Sequence, residues 1–362
     1  MFANSKNTKL RHFLLKCSWI WLAVTIGLSW PAAADDACST KALYAYADVT
    51  ASDGKKYSVE SFYRSKDRVA TKFIRADGGS LHVVEGPFTW VLGGEKAELA
   101  IDSQRDFQRD FALGHQFHAL LIHFRDIMTD IEPAQNIEFA SEKVSALKGT
   151  RSTGGAVYLI DGKTPDQPAG LRFDVADLKI DIIASDWRVV DGKQIPFALL
   201  IDDGTRTFDY QYKIVDIADR PLSWFYENVP SPDLDEIGVL RLHRQILVAH
   251  CLGEAAMMAQ LTAPAATVVS GGGVFDINPQ SMETTFTGTF GRRKYATYTD
   301  LQHPRIEVSA AGDIGWASVQ VNTTGKLAPS GDSFDETWGW VMMAKKIEGR
   351  WLMAGNASNI NP

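Results

Sequence analysis

Three histidines, His115, His118 and His123, lie close together in one apolar stretch. A zinc site on a helix needs its ligands on one face, commonly four residues apart, with a third donor. His115 and His118 are neighbours on such a surface, but His123 is turned well away from His118. The trio therefore reads as the polar edge of an aromatic stripe, and no metal is expected. Gly271-Gly272-Gly273 follows a strand-like run, yet it lacks the lysine and the helix that a phosphate loop requires. No Gly-x-Ser-x-Gly elbow occurs, and His250 and Cys251 are sequence neighbours, which on a helix do not face each other. Proton chemistry is left to Asp276, which continues a strand after Val274-Phe275, and to His250 in a helical apolar run. Either group acts as a general acid or base only if an apolar pocket moves its pKa toward the working pH. No cofactor is expected.

Aromatic residues are the stronger signal. Trp338 and Trp340 share a sheet face by the period of two, as Trp316 and Ser318 do on their own strand. Such residues line a ligand cavity or fill a core. From about Ala42 to Phe225 the chain reads as short alternating strands, with Asp53-Gly54, Gly93-Gly94, Asp191-Gly192 and Asp203-Gly204 as turns. One interruption has helical period: Phe107, Phe111, Leu113, Phe117, Leu120, Leu121, Phe124 and Ile127 predict a single helix from about Asp106 to Met128. The prolines and acids of Asn228–Glu236 break both patterns and predict a linker. Beyond it, Ile237 to Leu261 predicts a helix or two separated near Gly253, followed mostly by strands, with a short helix at Arg292–Tyr298.

The first 34 residues carry Lys6, Lys9, Arg11 and Lys16, then an apolar core, then Ala32-x-Ala34. That order predicts a cleaved secretory signal; the competing reading, an uncleaved anchor, has an apolar core shorter than the ~20 residues of a span. A periplasmic or secreted protein is expected, with no other membrane span. The formal charge of the chain is -7, and loss of the signal removes four more positive charges. An acidic surface disfavours nucleic acid as a partner. Cys38 and Cys251 remain after cleavage, and they are either a disulfide or two unrelated thiols.

Within Ile237–Asn361, the helix His250–Leu261, the run Gly288–Tyr298, the run Val308–Ala317, Thr337-Trp-Gly-Trp340, Lys345–Trp351 and Asn356-Ala-Ser358 resemble nuclear transport factor 2-like domains of the SnoaL-like branch, cone-shaped α+β folds. The opening helix lacks that family's usual acidic pair. The resemblance implies a fold that hosts isomerases, cyclases, dehydratases and inert binding modules, so it implies no single activity. Across Ala42–Asn228, Arg68–Phe73, Gly86–Trp90 with a following helix, and Ser185–Phe197 are similar to periplasmic lipoprotein carriers of the LolA/LolB type. These imply an antiparallel half-barrel wrapped on a helix, and acyl-chain binding if an apolar face is open.

The expected organisation is α+β: a signal at 1–34, a carrier-like domain at 35–228, a linker at 229–236 and a cone-shaped domain at 237–362. The expected function is non-catalytic binding of an apolar or amphipathic, lipid-like molecule. Its surface is expected at Phe88, Trp90, Phe117, Leu121 and Phe124 in the first half and at Trp316, Trp338 and Trp340 in the second. The alternatives are a lyase, isomerase or cyclase using Asp276 or His250, and an interaction module that forms a homodimer through its second half.

Overall fold

The computed structural model describes Cys38 and residues 41–360, except positions 77, 95, 176, 177 and 221. The signal expected at 1–34 lies outside the described residues. Strands β1 (Lys41–Ala51), β2 (Lys56–Ser65), β3 (Arg68–Ile74), β4 (Ser80–Glu85), β5 (Phe88–Leu92) and β6 (Ala97–Leu99) run as a meander. Helices α1 (Asp102–Gly114) and α2 (Phe117–Ile127) follow. The chain then builds β7 (Thr129–Phe139), β8 (Glu142–Thr150), β9 (Ala156–Ile160), β10 (Gly170–Val175), β11 (Leu178–Val190), β12 (Lys193–Asp202) and β13 (Thr207–Asp219). Because β13 pairs with β1, the strands join in one 13-stranded antiparallel sheet ordered β6-β5-β4-β3-β2-β1-β13-β12-β11-β10-β9-β8-β7. Asp191-Gly192 connects β11 to β12 with both residues at positive φ, 47° and 74°, the backbone that a two-residue hairpin turn demands.

The helices force this sheet to curl. Thr71 on β3 donates its hydroxyl to Ala112 O on α1 at 3.5 Å, while Asp110, two residues earlier, accepts from Ser152 and Thr153 in the β8–β9 turn. In the strand order β3 and β9 stand seven positions apart. At about 4.8 Å per strand a flat sheet would separate them by roughly 34 Å, against a helix diameter of about 10 Å. Only a sheet bent around the helices makes both contacts.

The expected single helix is two. Gln116 breaks it at φ -87° and ψ 57°, because its side chain turns into the core and donates to Ala70 O at 3.1 Å and to Thr71 Oγ1 at 2.7 Å. Sequence periodicity runs through that point, since Phe111 and Phe117 remain on the sheet-facing side. His118 ties α2 to the far side of the sheet, its Nε2–H donating to Pro196 O on β12 at 2.8 Å.

Helix α3 (Leu222–Asn228) leads into a packed connection in place of a free linker. Val229 is buried, and Pro230 O accepts the indole N–H of Trp90 at 2.9 Å. Helix α4 (Asp235–Leu252) is buried on nearly every side: Ile237 joins Trp90, Phe62 and Phe225, whereas Val239, Leu242, Ile246 and Leu247 pack with the second half. A helix apolar all round belongs between two layers, which is where this one lies.

After α5 (Ala255–Gln260), β14 (Thr262–Ser270) and β15 (Gly273–Ile277) come α6 (Pro279–Arg292), β16 (Arg293–Asp300), β17 (Arg305–Val308), β18 (Ile314–Leu327), β19 (Ser333–Ile347) and β20 (Arg350–Ile360). They form a 7-stranded sheet ordered β15-β14-β20-β19-β18-β16, with β17 on β18; β14 and β20 are parallel and the other pairs antiparallel. The short helix expected at Arg292–Tyr298 is instead strand β16. The helix precedes it, started by Pro279 and a reciprocal cap between Asn278 and Ser281. Among the described residues no helix is long and apolar enough to cross a membrane.

Cys38 and Cys251, 213 positions apart in sequence, are disulfide-bonded with Cα atoms 4.7 Å apart. The bond ties the segment before β1 to the end of α4. Replacing both cysteines with alanine is expected to lower the unfolding free energy by about 2–5 kcal/mol. Urea unfolding of the Cys38→Ala/Cys251→Ala protein measures this, and an unchanged midpoint would show that the bridge carries no stability.

Burial also holds the His118 ring neutral, lowering its pKa to about 4 against the opposing backbone hydrogen bond. The unfolded imidazole takes up its proton near pH 6.5, so stability present above that pH is lost as pH falls from about 6.5 to 4. His118→Asn is expected to flatten the decline in unfolding free energy between pH 7 and 5 by about 2 kcal/mol. Parallel pH profiles for the two proteins would refute the assignment.

Candidate ligand-binding cavity

Between the bent sheet and α1–α2 lies a cavity of about 970 Å³. Its apolar wall comes from both sides of the sheet: Phe73 on β3, Phe173 on β10, Ile182 on β11, Ile201 on β12 and Tyr210 on β13, facing Phe111 and Phe117 of the helices. The helices are held by the buried polar contacts of Asp110, Gln116 and His118, so they cannot settle fully onto the sheet. The volume is at the upper end of the range of about 300–1,000 Å³ usual for small-molecule sites.

The polar groups inside are largely engaged. His115 Nδ1–H donates to Phe111 O at 2.8 Å, and burial lowers the pKa of the ring to about 4, so it is neutral at ordinary pH. Burial pushes the Tyr210 phenol well above its usual range. Asp110 accepts from the Thr153 backbone N–H at 2.9 Å as well as from the hydroxyls of Ser152 and Thr153. Exposed lining residues mark the mouth: Lys55, Lys56, Arg75, Phe107 and Arg206.

Of the five first-half residues expected at a binding surface, Phe117 lines this cavity. Leu121 and Phe124 are buried in the adjoining core. Phe88 and Trp90 sit on the opposite face of the sheet, packed with Phe225 and Val229, because the residues paired across β3–β5 alternate between the two faces. Sequence reading missed Phe73, Phe173, Ile182 and Tyr210. Their signal was inward alternation on separate strands, and nothing in the sequence shows that those strands meet.

In the second half the period-of-two reading places Trp338 and Trp340 on the inner face, with Trp340 buried beside His243. Trp316 pairs with Met343 on the outer face, so the three tryptophans do not form one surface. His250 is buried among Phe286, Phe290, Tyr295 and Tyr298; its Nδ1–H donates to Ile246 O, and burial lowers its pKa to about 4. Asp276 is exposed on β15 and accepts from Thr267 at 3.3 Å. The buried charge of this half lies elsewhere: His243 Nε2–H donates to Asp300 Oδ1 at 2.8 Å, and Arg244 Nη1 is 3.2 Å from Asp300 Oδ2. Next to them Glu85, fully buried, has Arg241 at 3.6 Å. These charges join α4 to both sheets.

No family model and no curated protein matches the chain. Among solved structures it is similar to a ketosteroid isomerase-like protein from Erwinia carotovora atroseptica, at 10% identity and TM-score 0.32, covering 36% of this chain and 99% of that one. It is also similar to a nuclear transport factor 2-like superfamily protein from Salmonella enterica serovar Typhimurium, at 15% identity and TM-score 0.32, covering 35% and 92%. A third is the hexachlorocyclohexane dehydrochlorinase LinA-type3 from Novosphingobium barchaimii, at 14% identity and TM-score 0.32, covering 36% and 91%. These values are too low to carry an activity, a substrate or an assembly onto this chain.

Proposed function

We propose that this chain is an exported, non-catalytic binding protein for an apolar or amphipathic molecule with a hydrocarbon chain, held between the bent sheet and α1–α2 in the manner of a lipoprotein-carrier-like domain. The observation that carries the reading is the 970 Å³ cavity with phenylalanine and isoleucine walls. Each methylene moved there from water contributes about 0.8 kcal/mol, so ten buried carbons gain about 8 kcal/mol before the costs of ordering. The neutral, hydrogen-bonded His115 and the fully engaged Asp110 suit a container better than a proton-transfer site. The disulfide supports an oxidising compartment. The second half serves as a nuclear transport factor 2-like support and contact module.

Its outer sheet face favours the contact role. Trp316, Val341, Met343, Val269 and Val274 are exposed there, Trp316 opposite Met343 across β18–β19 and Val269 opposite Val274 across β14–β15. An exposed apolar stripe of this kind fits a second copy of the same face.

Two outcomes are expected. Native mass spectrometry of the purified protein should show one apolar molecule per chain, and Val175→Trp, which fills the cavity from a half-buried position, should reduce uptake of dodecanoate at least ten-fold while the thermal midpoint holds. An empty protein that also ignores dodecanoate would sink the binding reading. Light scattering should show a dimer that Val341→Asp/Met343→Asp converts to monomer without loss of uptake; a wild-type monomer at every concentration would dismiss the contact face.

A further inference from the structure

The cavity is apolar inside but its charged lining is unbalanced. It carries five basic side chains, Lys55, Lys56, Arg75, Arg151 and Arg206, and three acidic ones, Asp53, Asp110 and Asp203. The chain as a whole has a formal charge of -7, so the excess of positive charge here is local.

The three acids are committed to the fold. Asp53 accepts the Lys55 backbone N–H at 3.1 Å and pairs with the Lys55 ammonium at 3.2 Å. Asp203 accepts the backbone N–H groups of Thr205 and Arg206 at 2.9 and 2.7 Å. Asp110 is occupied by the β8–β9 turn. Asp203 also pairs with the Arg206 guanidinium at 3.4 Å, so two carboxylates balance Lys55 and Arg206 and the excess of positive charge falls on Lys56, Arg75 and Arg151.

The bases are differently placed. Lys56, Arg75 and Arg151 have no ion-pair partner within 4 Å among the described residues. The Arg75 guanidinium lies over the rings of Tyr57 and Phe73, 5.8 and 5.5 Å from their centroids, and Arg206 lies 5.1 Å from that of Phe208. All three rings line the cavity, so the cations are laid against its walls. Arg151 lies over Gly155, where a Cβ would collide with the guanidinium, and its Nε is buried without a hydrogen-bond acceptor among the described residues. A buried donor of this kind calls for an acceptor.

We infer that the ligand is a single-chain anionic amphiphile, a long-chain carboxylate or phosphate monoester, with its chain in the phenylalanine-lined interior and its head group against Arg75, Arg151 and Lys56. The inference rests on the binding reading above and specifies the head group that the site selects. A neutral polar head could offer the Arg151 donor an ordinary acceptor but gains little from the surrounding positive field, whereas an anion gains charge-assisted hydrogen bonds from guanidinium groups, about twice as strong as neutral ones. The free anion is also drawn toward a mouth whose sign opposes that of the rest of the surface.

Calorimetric titration of the delipidated full-length protein separates the possibilities, using dodecanoate, dodecyl phosphate and the neutral monododecanoyl glycerol below their critical micelle concentrations. The expected result is that both anions bind at least ten-fold more tightly than the neutral ester, with a preference that shrinks as salt is raised. Arg75→Gln/Arg151→Gln should remove most of that preference, read as the ratio of anion to neutral-ester affinity within each protein. The single Arg75→Gln variant, at an exposed position, gives a partial loss if the double variant fails to fold. Equal binding of all three ligands by the wild-type protein overturns this inference alone. So does a preference that survives both variants. Binding of none overturns it together with the reading beneath it. A preference for only one of the two anions supports the anionic site and identifies its head group.

Discussion

The first half of this protein depends on one constraint: two short helices must satisfy buried polar bonds on strands that lie far apart in the sheet order. Asp110, Gln116 and His118 reach the β8–β9 turn, β3 and β12 respectively. Buried polar groups left without partners cost about 1–3 kcal/mol each, so these bonds are not optional once the helices are enclosed. Their joint satisfaction bends the sheet and fixes its distance from the helices. The cavity is the space that remains. Its existence is therefore a consequence of where a few polar side chains find partners, and its apolar lining follows from the alternation of the strands that surround it.

Helix α4 plays the corresponding part for the chain as a whole. Ile237 on one side and Val239, Leu242, Ile246 and Leu247 on others leave it no solvent face of any length. Charged and polar residues are nonetheless enclosed along it, with Arg241 near Glu85, and Arg244 and the His243 ring on Asp300. Burying ions is expensive unless they are paired, and a mispaired alternative would be worse, so such a cluster favours one relative arrangement of the packed layers over others. The disulfide adds a covalent tie at the end of the same helix.

A division of labour follows from the two sheets. The larger one encloses space and presents cations at its opening. The smaller one fills its interior with Trp340, Met342, Phe290 and the aromatic surroundings of His250, and carries exposed apolar residues outside. That outer face is mixed, with Gln320 and Lys345 exposed beside Trp316, Val341 and Met343.

The sequence by itself determined the kinds of element. Alternation marked most strands, Asp-Gly and Gly-Gly marked turns, and Pro with acids marked the break near 228, because these are local effects of sterics and solvation. It also put Phe117 on the inward face of its helix and paired Trp338 with Trp340. It did not determine the break at Gln116, since that residue leaves helical geometry for partners 45 and 46 residues away. Nor did it reveal that Trp90 faces away from the cavity, or that Trp316 lies on the face opposite Trp340. A period of two says which residues share a face and is silent about which face meets what. Phe73, Phe173, Ile182 and Tyr210 become one wall, and Arg75 and Arg151 flank one opening, only when the sheet closes around its helices; that closure is a long-range property set by tertiary contacts.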